Sequence, residues 1–166
     1  MSRLSIIGKH NFSKGRVLVV VLAVGGSLFW GKFKLDELRK NSLRAEAKLM
    51  LAYIQTLQNA HHTDEGHYSV FNQEYGASIG GSVNCTRPEG AKNLGFILRN
   101  CERGIDDGGP RYSYRVESGE SNQGFVAYAT SGNGQSGSNL VCTSSTKQDI
   151  WRVQKSGRPI HVLNCE

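Results

Sequence analysis

The apolar and polar positions of the first 68 residues form two successive patterns. Residues 17–30 are an almost unbroken apolar run. Beyond them, apolar residues recur at spacings of three and four, which is the period of one buried helix face: Leu43, Ala47, Met50/Leu51, Ile54, Leu57 and His61. The opposite face carries polar residues, namely Arg44, Lys48, Gln55 and Asn59. No proline interrupts 31–62, and Gly66 supplies a C-terminal stop. We therefore predict one long helix, apolar in its first half and amphipathic in its second.

The chain beyond Tyr68 follows a different pattern. Residues 72–95 are rich in Gly, Ser and Asn, and we interpret them as a loop. Apolar residues then alternate with polar ones, as they do in antiparallel strands with one buried face, over Tyr112–Val116, Phe125–Ala129, Ile150–Val153 and Pro159–Leu163. The tyrosines and tryptophans are expected in the core and rim of this sheet. The predicted fold class is α+β, a long N-terminal helix packed on a small antiparallel sheet.

The net charge of +6 comes from the N-terminal arm. Residues 1–34 hold six of the 20 Lys and Arg residues and no acidic ones, which leaves 14 basic residues against all 14 acidic ones in the remainder. A nucleic-acid-binding domain needs a basic face on the folded part, so nucleic acid is not an expected partner. A basic leader before an apolar run is typical of membrane insertion with the positive flank kept cytoplasmic.

The apolar run has two interpretations. Its 14 residues are fewer than the roughly 20 that a spanning helix needs, and Ala23-Val24-Gly25 is an acceptable cleavage signal for a secretory signal peptide. The helix pattern, however, continues directly through Phe33 and Leu35, and the stems of Lys32 and Lys34 can extend the span. We therefore favour an uncleaved, single-pass membrane anchor. Gly25, Gly26 and Ser27 would let a neighbouring helix approach closely, next to Arg16, Val17, Val20, Val24, Phe29 and Trp30 on the same segment.

All four cysteines lie beyond the apolar run, on the exported side of the predicted anchor. An even number there indicates two disulfides, for which three pairings exist. We favour Cys85–Cys101 and Cys142–Cys165 because each closes a short local loop. No CxxC pair is present, so a zinc site is not expected.

No group of residues carries a recognisable catalytic or metal-binding pattern. His61, His62, Asp64 and His67 lack the i,i+4 spacing of a helical metal site, because His62 and His67 are five residues apart and Gly66 falls between them. Asp106-Asp107-Gly108-Gly109 lacks the alternating oxygen ligands of a calcium loop. No G-x-S-x-G nucleophile motif occurs. We expect no catalytic residue, no cofactor, no metal and no small-molecule substrate.

The residues Ser42–Ile54, followed by Asp64-Glu65-Gly66-His67-Tyr68, resemble the stem helix of a type IV pilin or pseudopilin. That family carries an S-x-x-x-E-A-K-x-x-L-x-x-I segment that leads to an E-x-G-x-Y ending. The Asp149-x-Trp151 pair resembles a D-x-W motif of the pilin sheet, and the C-terminal cysteine pair resembles the disulfide-closed loop of many pilins. The resemblance implies a pilin-like fold, no enzymatic activity, and assembly with other subunits.

The N-terminal processing site departs from the family pattern. Pilins usually begin after a glycine, with a phenylalanine first and a glutamate four residues later. An ungapped register places Phe12 first, after Asn11, and puts Arg16 at the glutamate position. A register that uses Gly15 as the glycine starts at Arg16 and puts Val20 there. The prepilin site is therefore degenerate in both registers.

These interpretations divide the chain into four parts. They are a basic cytoplasmic leader (1–16), a transmembrane half of the stem helix (17–34), an amphipathic half (35–68) and a sheet head (69–166). The expected location is a bacterial inner membrane, with the N-terminus cytoplasmic and the head periplasmic or extracellular. The expected partners are the lipid bilayer and other pilin-like subunits or assembly-platform proteins of a type IV pilus or a type II secretion-like system. The alternative is a membrane-tethered or secreted binding module unrelated to filaments.

Overall fold

A computed structural model describes residues 14–77, 83–101, 109–119, 123–131 and 148–163, with only the backbone described for 14–33 and Asp36. Helix α1 covers Lys14–Glu65. It is followed by β1 (Phe71–Ala77), β2 (Val83–Asn84), helix α2 (Glu89–Asn93), β3 (Tyr112–Ser118), β4 (Phe125–Ser131), β5 (Ile150–Gln154) and β6 (Ile160–Leu163). The chain divides into two compact units, residues 1–39 and residues 40–166.

The first unit contains the N-terminal part of α1. Its described side chains include Leu35 and Leu38, both exposed, and an ion pair between Lys34 and Glu37 at 3.5 Å. Among the residues whose side chains are described, no helix is long and apolar enough to cross a bilayer. The predicted transmembrane half, 17–34, lies outside those residues except for Lys34, and it stays a prediction.

The second unit is an α+β head, as predicted. In the described residues, six strands form one antiparallel sheet in the order β2-β1-β3-β4-β5-β6. Ala47, Leu51 and Ile54 of α1 have no exposed surface and share one core with the inward side chains of the sheet, among them Tyr112, Tyr114, Val116, Phe125, Ala127, Ala129 and Val153. Burial of an aliphatic side chain such as Leu51 contributes about 1.5–3 kcal/mol. The predicted face of the helix is therefore the face that holds the head together.

The four predicted strands are confirmed, and the loop assigned to 72–95 is wrong. That range contains most of β1, all of β2 and α2. Asn72, Gln73, Glu74 and Gly76 have weak strand propensity, which hid the strand. Pairing with β3 overrides that propensity, with a bulge between Phe71 and Tyr75. Phe71 and Tyr75 are buried and so fix which face of β1 meets the helix.

Two glycines are required where elements end or meet. Gly66 has φ +76°, and its N–H donates to the carbonyl of His62 at 2.9 Å, which ends α1 in a left-handed turn. At Gly90 in α2, a Cβ atom would lie 2.1 Å from the carbonyl oxygen of Val70. Only a residue without a side chain lets α2 pack this closely against the chain that leads into β1.

Candidate functional site

Among the described residues of the head, the polar group with the most partners is the carboxylate of Asp149, which has no exposed surface. Its Oδ2 accepts hydrogen bonds from the Tyr112 hydroxyl and the Trp151 indole N–H, both at 2.7 Å. Its backbone N–H donates to Ser131 Oγ at 2.8 Å, and its carbonyl accepts from the Ser131 N–H at 2.9 Å. The residue before β5 is thus tied to the end of β4 and to the middle of the sheet.

The second carboxylate oxygen of Asp149 faces two basic side chains. Arg44 Nε of α1 lies 3.4 Å from Oδ1, and His161 Nε2 of β6 lies 2.7 Å from it. A carboxylate can only accept, so His161 carries its hydrogen on Nε2. Asp149 therefore joins α1, β3 and β6 to β5 through one buried charge, which Arg44 compensates.

Both carboxylate oxygens of Asp149 have partners within the protein. Burial and the charge of Asp149 raise the pKa of Tyr112 above its ordinary value, so its phenol remains a donor. Trp151 is covered on one side by His161, with ring centroids 4.3 Å apart, and on another by Lys48, whose Nζ lies 4.6 Å from the ring centroid. The cluster has no open carboxylate oxygen for a substrate, and its geometry is that of a structural junction.

A second carboxylate, that of Glu46, is half-buried in α1 next to the buried Ala47. Its Oε1 accepts from the Arg111 backbone N–H at 3.0 Å and lies 3.5 Å from the Tyr114 hydroxyl. Burial raises the pKa of Glu46, and the hydrogen bonds and the positive charge of Arg111 oppose that rise. Burial and the charge of Glu46 raise the pKa of Tyr114 as well. Within the described residues no hydrogen bond reaches Oε2 of Glu46.

Glu46 lines a half-open groove of about 510 Å³ between α1 and the segment that follows α2. The apolar part of its lining consists of Met50, Tyr53, Ile97, Leu98 and Pro110. Arg99 and Asn100 supply polar groups. The volume lies within the roughly 300–1,000 Å³ of known ligand sites. Among the described residues, this groove has the size and the mixed lining that a ligand site requires.

The histidines at and after the end of α1 lie in contact with one another and with Tyr68. His61 and His67 pack edge to face with centroids 5.2 Å apart, and His62 stacks on Tyr68 at 4.3 Å. The Nδ1 atom of His67 lies 3.0 Å from the carbonyl of Glu65. Across the described parts of the chain, no three His, Cys, Asp or Glu side chains are placed to share a metal ion.

The structure describes some of the predicted site residues and not others. Cys85 and Cys101 form the predicted disulfide, with Cα atoms 5.5 Å apart. Cys142, Cys165, Asn11, Phe12 and the Asp106–Asp107 segment lie outside the described residues. Gly15 and the predicted membrane and assembly residues lie in the part of α1 for which only the backbone is described, namely Arg16, Val17, Val20, Val24, Gly25, Gly26, Phe29 and Trp30.

Sequence reasoning missed several partners of these sites. Arg44 and Gln55 were assigned to the face of α1 opposite the core, which is wrong. Arg44 pairs with buried Asp149, and the Gln55 amide donates to the carbonyls of Gln154 and Gly157 in the β5–β6 turn at 2.8 and 3.1 Å. The buried Gln58 was not identified, because a polar residue inside an apolar stripe gives no periodic signal.

Comparison with protein-family models, with curated proteins and with solved structures finds no match to this chain.

Proposed function

We propose that this chain is a non-enzymatic, pilin-like structural and interaction protein. It would act as a minor or degenerate pilin, or as a pseudopilin, of a type IV pilus or a type II secretion-like system. The observation that carries the proposal is the way α1 lies across the sheet. Its face of Ala47, Leu51 and Ile54 covers an antiparallel sheet whose last hairpin begins at Asp149-x-Trp151.

The N-terminal segment supplies the membrane and assembly part of the proposal. Residues 17–34 would anchor the chain in a bacterial inner membrane, with the basic leader (1–16) on the cytoplasmic side. Gly25 and Gly26 would allow close contact with the helices of other pilin-like subunits or of assembly-platform proteins. The head, exported, would keep the disulfide between Cys85 and Cys101 oxidised.

The absence of an enzymatic role is supported by how the charged groups of the head are used. The carboxylate of Asp149 is enclosed by donors from three strands and from α1. Glu46 receives two donors at Oε1. A general acid or base has to reach a proton of the substrate, and Asp149 has no exposed surface from which to reach one.

Deletion of the gene in its native bacterium tests the proposal. We expect loss or shortening of surface filaments in electron micrographs, or loss of one exported protein from the culture medium, and restoration by the wild-type gene. The deletion strain should not be restored by a gene that carries Val24→Glu. This variant places a charge in the apolar run and leaves the sequence of the head unchanged. Normal filaments and normal secretion in the deletion strain would contradict the proposal.

The alternative is a membrane-tethered or secreted binding module that joins no filament. Arg16 favours it, because an arginine stands where pilins place an assembly glutamate. The intact mass of the native protein tests the secreted form of this alternative, because a chain that begins beyond Gly25 lacks most of the apolar run. A membrane-tethered module would keep residues 17–34, as a pilin-like chain does, and it differs in leaving filaments and secretion normal when the gene is deleted.

A further inference from the structure

The groove between α1 and residues 97–100 exposes apolar surface. Next to that surface lie a hydrogen-bond acceptor on one side chain and hydrogen-bond donors on others. Ile97 keeps 52% of its surface exposed and Tyr53 keeps 42%, although both line a concave site. Exposed apolar surface in a concave site favours a partner that covers it. The open Oε2 of Glu46 is an acceptor, and the side chains of Arg99 and Asn100 are donors.

The groove walls are held in place before any ligand arrives. The Leu98 N–H donates to the Tyr75 hydroxyl at 3.3 Å, and the Cys101 N–H donates to the Leu98 carbonyl at 3.1 Å. The disulfide ties Cys101 to Cys85. A site that is already ordered loses little conformational entropy on binding.

The charges that line the groove favour a neutral ligand over a simple ion. Glu46 is acidic and Arg99 is basic, so a lone cation or anion meets one favourable and one unfavourable group. Arg111 also faces Glu46 from the start of β3 and partly balances it. A neutral ligand with a donor and an acceptor on either side of an apolar group satisfies both.

We propose that this groove binds an extended peptide segment of a partner protein and receives one large aliphatic side chain of that segment. A backbone N–H of the segment would donate to Glu46 Oε2, and a backbone carbonyl would accept from Arg99 or Asn100. The apolar side chain would pack against Met50, Ile97 and Leu98. The groove does not need the chain to enter a filament, so this inference goes beyond the assembly role proposed above.

Blocked single amino acids test this directly on the full-length, ¹⁵N-labelled protein. The probes are N-acetyl-leucine N-methylamide and its glycine counterpart, which has the same backbone groups and no side chain. We expect the leucine probe to shift the amide signals of Ile97–Asn100 saturably, with a Kd in the millimolar range. The glycine probe should bind at least about tenfold more weakly, because it buries no aliphatic group.

Two matched variants locate the site. Ile97→Glu should weaken leucine-probe binding at least about tenfold. Ile160→Glu, at a residue of similar exposure on β6, should leave it unchanged. Equal binding of both probes, or unchanged binding to Ile97→Glu, would overturn the proposal. So would a wild-type protein that ignores the probes but self-associates in sedimentation through a contact that Ile97→Glu abolishes, because the groove would then belong to a second copy of the chain.

Discussion

His161 Nε2 lies 2.7 Å from Asp149 Oδ1, and this contact joins the edge strand β6 to a carboxylate with no exposed surface. The other three residues of β6 are exposed, namely Ile160, Val162 and Leu163. Within the described residues, the strand is held by its ladder with β5 and by the contact of His161 with Asp149. Asp149 is the point at which a single substitution would loosen the most elements.

Asp149→Asn should destabilise the head by about 3 kcal/mol. The amide cannot balance the charge of Arg44, and its NH₂ would meet the donor groups of Tyr112 and Trp151 or of His161. Urea unfolding followed by Trp151 fluorescence, in a Trp30→Phe background, measures this. Glu117→Gln is the control, because its half-exposed pair with Arg115 should be worth less than about 1 kcal/mol. Equal losses in the two variants would show that the buried cluster is not a junction.

Gln58→Leu should cost about 2 kcal/mol although it puts an apolar residue into an apolar core. The buried Gln58 amide accepts from the Ser69 N–H at 3.0 Å and donates to the Ser69 carbonyl, so leucine would leave two backbone groups unpaired. The matched variant is Gln55→Leu, whose amide bonds lie at the exposed β5–β6 turn and can be replaced by water. Chemical unfolding should show a clearly smaller loss for Gln55→Leu. A Gln58→Leu protein as stable as wild type would contradict this role.

Glu46 should make the stability of the head fall as pH rises above the ordinary glutamate pKa of 4.5. Burial raises the folded-state pKa, so the folded protein binds more protons than the unfolded chain between the two pKa values. The stabilising contribution of protonated Glu46 is complete below its pKa in the unfolded chain. It is lost as the pH rises through its pKa in the folded protein. Glu46→Gln keeps an acceptor for the Arg111 N–H and removes the titration.

The measurement is the free energy of unfolding from pH 4 to 8 for wild type and Glu46→Gln. As pH rises, the free energy of unfolding of wild type should fall relative to that of Glu46→Gln. Glu89→Gln, at a largely exposed carboxylate on α2, serves as the control and should change with pH far less. A pH-independent difference for Glu46→Gln would contradict the raised pKa.

Removing the disulfide should cost about 3 kcal/mol, because Cys85 and Cys101 are 16 residues apart and reopening such a loop restores entropy to the unfolded chain. The variant is Cys85→Ala with Cys101→Ala, measured by thermal unfolding. A non-reducing peptide map should find these two cysteines in one cross-linked peptide pair. A map that joins Cys85 to Cys142 or to Cys165 would refute the connectivity.

The sequence predicted those parts of the head in which the apolar residues recur with the period of a helix or a strand and are also the buried ones. Ala47, Leu51 and Ile54 recur at helical spacing and are buried, and β4 alternates strictly from Phe125 to Ser131. The strand β1 was not predicted because its polar residues suit a loop, whereas its stability comes from long-range pairing with β3 and from the burial of Phe71 and Tyr75.

The candidate site was less predictable than the fold. Glu46 and Asp149 both stand in motifs visible in the sequence, but their partners are far along the chain. Arg111 lies 65 residues from Glu46, and Tyr112 lies 37 residues before Asp149. Contacts of this range depend on strand order and on the face of the helix that meets the sheet, neither of which a local pattern specifies.

We propose that the N-terminal helix binds like subunits in a membrane while the head folds around the rest of α1. Site-specific photo-crosslinking in the native host would detect such a contact, with p-benzoylphenylalanine placed at Val24 in the apolar run. The same probe at Ser156, in the exposed β5–β6 turn, serves as the control. Adducts are recovered from the membrane fraction and identified by mass spectrometry.

The account predicts a Val24 adduct with another subunit that has an apolar N-terminal helix continuing into an amphipathic one. The Ser156 probe should not yield that adduct. Val24 adducts with lipid alone, or only with proteins that lack such a helix, would contradict the account.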